Sequence, residues 1–212
     1  MDVVVAGGHG RIALELLRRL AERGDRALGL IRNLEHAGDL EAVGAQAVEC
    51  DMEAEDDLAP FVEGADAVVF AAGAGPGSGP QRKRTVDLGA AVKLIDAAKA
   101  AGVRRYVMIS AIDSGRPDRW SDAMRPYYEA KTKADEALEA AGLDQTIVRP
   151  GGLTDDPPSE RVAVGEDLGS GRVPRADVAA VVAELLSSGA AVGVAFDLLA
   201  GDTPVAEAVA SL

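Results

Sequence analysis

A single cysteine, Cys50, in 212 residues excludes an internal disulfide and suits a reduced, cytoplasmic setting. It stands at an expected strand end, where a small apolar role is preferred to that of a reactive thiol. The only two histidines, His9 and His36, lie far apart in the chain and give no metal-site spacing, so no metal is expected. Aromatics make up 3% of the residues, against 24 glycines and many Ala, Val and Leu, a composition that suits close packing of helices on a sheet. Basic residues are the minority, 22 against 35 acidic, for a formal charge of −13 and a pI near 4.6. Such a surface repels nucleic acid and anionic membranes, so neither is an expected partner. An anionic ligand would need a local positive site. No apolar run reaches the length of a membrane span. The opening MDVVVAGG lacks a basic leader and a cleavage site, so no signal peptide is expected.

Short apolar runs alternate with helical patterns along the whole chain. DVVVAG (2–7) reads as a buried strand, and RIALELLRRLAER (11–23) as an amphipathic helix stopped by Gly24. Further strands are expected at RALGLIR, AQAVECD, DAVVFAAG, RRYVMISA, DQTIVRPG and AVGVAFDLL. Helices are expected at LEHAGDLEAVG, from about Arg84 to Ala101, around RPYYEAKTKAD, at RADVAAVVAELLSS and at the end of the chain. GAGPGSGP (73–80) reads as a loop. Strict alternation predicts an α/β fold with a doubly wound parallel sheet, covered on both faces, over a single domain of residues 1–212. Residues 153–176 break the pattern, with DDPP, GSG and two short strands around RVAV and RVP. They are expected to form a small C-terminal insert flanking the substrate pocket.

The first strand runs into GGHGRIA, a G-x-x-G-x-x-A frame of Gly7, Gly10 and Ala13. Gly7 permits the tight turn. Gly10 lets the backbone approach a pyrophosphate at the helix N-terminus, and Ala13 lets the helix pack close to the sheet. Strand before and helix after make this a dinucleotide-binding turn rather than a merely structural one. His9, Arg11 and Ile12 complete the expected contacts, although His9 reads equally well as an exposed loop residue. The second strand ends in Arg32 and Asn33, with no acid until Glu35. An NAD site usually places an acid there for the ribose, whereas Arg32 suits a 2′-phosphate, so NADP(H) is expected over NAD(H). Asp51 and Met52 are candidates for the adenine, and Asp51 reads nearly as well as a turn residue. Ala71, Ala72 and Gly73 are small enough for a ribose and pyrophosphate to pass over the strand tips.

GGHGRIA, the AAG after the fourth strand, TVDLGA, VMISA, YYEAK and IVRPGGL occur in order. As a set they resemble the atypical short-chain dehydrogenase/reductase family, of the NmrA-like and flavin-reductase-like or epimerase-like kind, nearly end to end. The resemblance implies a Rossmann fold and a Ser, Tyr and Lys site with an Asn in the preceding helix. Tyr127 and Lys131 match Y-x-x-x-K, and Ser110 matches the serine. Asp87 fills the Asn position. Pro150, Gly151 and Gly152 resemble the loop bordering the nicotinamide. Tyr127 would donate a proton, its pKa lowered by the Lys131 ammonium one helical turn away. Ser110 would hold the substrate oxygen. Asp87 puts a carboxylate beside the lysine and can raise the lysine pKa instead.

QRKRT (81–85) reads as a solvated helix entrance. Trp120 and Met124 either line a pocket or anchor the loop, and Tyr128 reads as a packing residue. The leading expectation is an NADPH-dependent oxidoreductase acting on a small carbonyl, quinone or flavin-like acceptor, as a monomer or homodimer. The alternatives are a non-catalytic NADP(H) redox sensor acting on a protein partner and, more weakly, a nucleotide-sugar epimerase or dehydratase.

Overall fold

A computed structural model describes residues 1–75 and 77–212. Pro76, in the expected loop at 73–80, lies outside the described residues. The main sheet has nine strands. β1 (Asp2–Ala6), β2 (Arg26–Ile31), β3 (Gln46–Glu49), β4 (Ala67–Phe70), β5 (Arg105–Ile109), β6 (Asp144–Pro150) and β10 (Val194–Ala200) run parallel. β8 (Arg161–Gly165) joins β10 antiparallel, and β11 (Thr203–Pro204) joins β8. The strand order is β11-β8-β10-β6-β5-β4-β1-β2-β3. The chain therefore reverses direction of growth between β1 and β4, which opens a crevice beyond their carboxyl ends.

The strands are apolar on both faces because both faces are covered. Val3, Val5, Val69 and Val107 meet Leu16, Leu17 and Leu20 of α1 (Arg11–Arg23) and the apolar residues of α6 (Arg175–Ser188). Val4, Val68, Phe70 and Met108 meet Leu94 and Ala98 of α4 (Ala91–Ala100) and Ala134 and Leu138 of α5 (Arg125–Glu139). α2 (Ala37–Ala42) and α7 (Val205–Ala210) complete the helical layers.

One expectation is corrected. The helix expected from about Arg84 starts earlier, with α3 (Pro80–Arg82), and is wound as a wide π-helix over Lys83–Ala90 before α4 begins. Gly89 accommodates the wide turn, since a Cβ there would stand 3.2 Å from the carbonyl oxygen of Arg84, five residues back. The two short strands expected within 153–176 are both formed. There β8 extends the main sheet, while β9 (Arg172–Pro174) pairs with β7 (Gly152–Thr154) in a separate two-stranded sheet. The pairing needs of β10, which would otherwise be an open edge, outweigh the loop-like composition.

The turn after β1 is packed to the limit. Gly7 has φ +78°, and a Cβ on it would lie 2.7 Å from the Ala72 Cα. A Cβ on Gly8 would lie 2.7 Å from the Cα of Gly29 in β2. Neither obstacle is a flexible side chain, so Gly8→Ala is expected to destabilise the protein by about 1–3 kcal/mol. Gly38, in α2 with nothing near its missing Cβ, is expected to gain about 0.5–1 kcal/mol when changed to Ala. Denaturant melts of the two variants check both signs.

Candidate functional site

The crevice is a cleft of about 540 Å³ across the carboxyl ends of β1 to β4. Gly7, His9 and Gly10 line it, with Arg32 and Asn33 after β2, Asp51 and Met52 after β3, and Ala71, Ala72 and Gly73 after β4. Ten residues singled out for a dinucleotide thus share one wall. At the start of α1, Gly10 caps the helix without a side-chain bond, and no acid stands in the first turn. The first N–H groups of that helix are left for an anion.

Five other expected contacts are differently engaged. Arg11 forms an ion pair with Asp155, which Arg175 also holds at 2.7 Å. The Ile12 side chain packs against the core. Pro150 is paired in β6 with Leu198 of β10. Gly151 donates to the Leu198 carbonyl, and Gly152 to that of Gly171. The structure does not bring these five to the cleft wall: an ion pair claims Arg11, core packing Ile12, and backbone pairing at the end of β6 Pro150, Gly151 and Gly152.

The basic run expected to be a solvated helix entrance is corrected. Arg82 lines the cleft. Its guanidinium lies 2.9 Å from Glu53, which also stands 3.6 Å from Arg32. Thr85 donates to the second Glu53 oxygen at 2.6 Å. That bond, with the two arginines, holds the Glu53 carboxyl below its usual pKa. Two cations from distant segments therefore face the same end of the cleft. Glu35, the nearest acid after β2, is turned back to accept from Asn33 at 2.8 Å.

Behind the β4 tip lies a buried charged chain. Asp87, in the π-helical stretch, is 1% exposed. One oxygen accepts from the Ala74 N–H at 3.3 Å, and the other lies 3.6 Å from the Lys131 ammonium. A Cβ on Gly73 would stand 3.3 Å from the same Asp87 oxygen, so the carboxylate touches the strand tip itself. Lys131, 4% exposed, donates to the Ile109 carbonyl at 3.2 Å and stands over the Phe70 ring. Burial pulls its pKa down, against the opposing pull of Asp87 and Asp135. Asp135, one turn further along α5, is held by Arg149 at 2.9 Å. Burial nonetheless raises its pKa. Ser110 is buried with its hydroxyl 3.1 Å from that of Ser114, so that hydroxyl is engaged inside the protein.

Tyr127 lies half-buried beside this chain, edge-on to Tyr128 and with the Lys83 ammonium 5.1 Å from its ring centroid. The expectation of a lowered tyrosine pKa is overturned. Burial first, and the Asp87 carboxylate second, push it up. The buried carboxylate at the Asn position opposes the effect expected of Lys131. Trp120 stacks on Tyr128 at 5.9 Å and donates to the Asp113 carbonyl at 2.7 Å, so it anchors the loop as well as flanking the site.

His9 and His36, which the sequence separates, are stacked at 3.8 Å between ring centroids, and His9 bonds Asp39 at 2.8 Å. Cys50 is buried as expected, though it also lines the cleft. Burial and the neighbouring Glu55 and Asp51 push its thiol up to about 11. Sequence reasoning missed Glu53, Arg82, Asp135 and Arg149. Asp135 had a readable signal, since i, i+4 spacing puts it on the Lys131 face of the helix.

A family model described as NAD(P)H-binding matches residues 7–189. A Bacillus subtilis protein named as the uncharacterized sugar epimerase YhfK is 39% identical, covering 100% of both chains. A solved structure from Bacillus halodurans, provisionally named an NAD-dependent epimerase/dehydratase, is 37% identical with a TM-score of 0.95 over 100% of both chains. The oxidoreductase ylbE from Lactococcus lactis is 29% identical with a TM-score of 0.88, covering 100% of this chain and 96% of that one. The chain belongs to the NAD(P)H-binding Rossmann family, in keeping with the atypical short-chain dehydrogenase/reductases. By class it is an NAD(P)H-binding protein. Among the described residues no helix is long and apolar enough to cross a membrane.

The pKa values of Tyr106, Tyr127 and Tyr128 are all raised, each chiefly by burial. The folded protein resists forming tyrosinate, so stability is lost as pH climbs above the unfolded tyrosine pKa, about 10. Titration followed at the tyrosinate absorbance is expected to lag behind that of denatured protein. Ionisation of a tyrosine in the folded protein near pH 8 would contradict this.

Proposed function

We propose that the protein is a reductase that prefers NADPH and reduces a small carbonyl, quinone or flavin-like acceptor. The observation that carries the preference is the convergence of Arg32 and Arg82 on one end of the cleft, with Glu35 turned away. A phosphate dianion suits two guanidinium groups, each able to make two parallel hydrogen bonds. Glu53 holds both side chains toward the cleft. The glycine turn and the uncapped start of α1 would take the pyrophosphate. The bound nucleotide would supply the hydride.

The remaining chemistry falls to the buried chain. Lys131 keeps a cation under the β4 tip, where it can orient a ribose and offset charge developing on the acceptor oxygen. Its lowered pKa places the alkaline loss of that charge earlier than for an ordinary lysine. Tyr127 keeps its proton throughout the neutral range and is the available O–H donor. Asp87 locks Lys131 and the β4 tip together. Trp120 and Tyr128 offer an aromatic flank suited to a flat acceptor.

The names carried by the two Bacillus relatives favour a second reading, sugar epimerisation. The two readings differ in whether the nucleotide is consumed. A reductase oxidises one NADPH per acceptor, whereas an epimerase leaves the nucleotide pool unchanged after each turnover.

Arg32→Ala and Arg82→Ala are each expected to weaken NADPH binding by about 10-fold or more, the scale of a lost charge-assisted hydrogen bond. NADH binding should change by less than about 3-fold, because it lacks the 2′-phosphate. Equal losses for both nucleotides in a calorimetric titration would contradict the phosphate role.

A further inference from the structure

His9 arrives from the glycine turn after β1, while His36 and Asp39 arrive from the segment that leads into and forms α2. Their ligand atoms, a ring nitrogen from each histidine and a carboxylate oxygen, all lie within 4.8 Å of one another. The His9 Nε2 already faces the Asp39 carboxylate at 2.8 Å. We infer that His9, His36 and Asp39 form a binding site for a borderline transition-metal ion, of the Zn²⁺ class, at the rim of the nucleotide cleft.

The donor set selects the ion. Two imidazoles and one carboxylate suit Zn²⁺, Co²⁺ or Ni²⁺, whereas Mg²⁺ and Ca²⁺ need more oxygen ligands than this cluster offers. Three protein ligands leave a fourth position open, the arrangement of open rather than structural zinc sites. Around a tetrahedral ion with bonds near 2.1 Å, donors stand about 3.4 Å apart, so the widest pair must close by up to about 1.4 Å. The two rings are within 9° of parallel, so at least one must turn out of the stack to aim its lone pair. The histidines are half-exposed and Asp39 is exposed, which leaves room for that rotation. The ion would take the place of the proton shared by His9 and Asp39. Cys50 lines the same cleft, but its sulfur does not belong to the cluster of donor atoms. The net charge of −13 favours cation capture in general.

This site does not depend on the proposed reductase activity and can be tested without nucleotide. The full chain is titrated with Zn²⁺ against a chromophoric chelator, and with Co²⁺ while the visible spectrum is followed. One saturable ion per chain is expected, with Co²⁺ giving the intense visible bands of a four-coordinate site. His9→Ala, His36→Ala and Asp39→Asn are each expected to weaken Zn²⁺ binding by at least tenfold, while Cys50→Ser leaves it unchanged. All four variants are checked by thermal melts for an intact fold. Absence of saturable binding, equal affinity in the three ligand variants, or loss on Cys50→Ser would each overturn the assignment.

Discussion

The turn after β1 has no room for side chains, and the rest of the cleft follows from that constraint. Gly7 lies against Ala72 at the β4 tip and Gly8 against Gly29 in β2, in both cases backbone against backbone. These contacts pin the start of α1 between the first, second and fourth strands. The helix N-terminus therefore faces the crevice at the point where strand order reverses. Any side chain larger than hydrogen would push α1 away from the sheet and open its close packing, which Ala13 and the buried leucines maintain.

The second organising feature is a run of charges alternating in sign from the β4 tip to β6, with Asp87, Lys131 and Asp135 buried and Arg149 half-buried. Burying charge is costly unless each group finds a partner of opposite sign. The alternation offsets part of that cost, with one oxygen each of Asp87 and Asp135 left without a hydrogen bond among the described residues, and ties the π-helical stretch to α5 and to the strand ends. It also changes the chemistry available. A tyrosine near an isolated buried lysine would be acidified, but here burial first and Asp87 second keep the proton on Tyr127. The π winding has a part in this, because the wide turn at Gly89 belongs to the same stretch that carries Asp87 to the Gly73 backbone.

Most of the parallel sheet was legible in the sequence, since strands buried on both faces are continuously apolar and the intervening helices are amphipathic. The cleft wall was legible where local rules apply: a glycine turn, small residues at a strand tip, an arginine in place of an acid after β2. Legibility ended where partners come from distant segments. Nothing in QRKRT shows that Arg82 reaches Glu53, because that contact depends on how a π-wound helix meets the loop after β3. His9 and His36 looked unrelated for the same reason, as their stacking is set by the packing of the β1 turn against the start of α2. The strand at 161–165 was legible, but its antiparallel pairing with β10 was not, because that partner, Val194–Ala200, lies much further along the chain.

On the proposed function, the strand-tip cleft and the charged chain behind it carry out hydride transfer from NADPH to a small acceptor. The most direct measurement follows NADPH absorbance over a panel of quinones, flavins and aldehydes, with wild type beside Tyr127→Phe. Stoichiometric NADPH oxidation is expected with at least one acceptor class, with slower reduction of carbonyls by the variant, which lacks the O–H donor. Tight NADPH binding with no oxidation across the panel would contradict it.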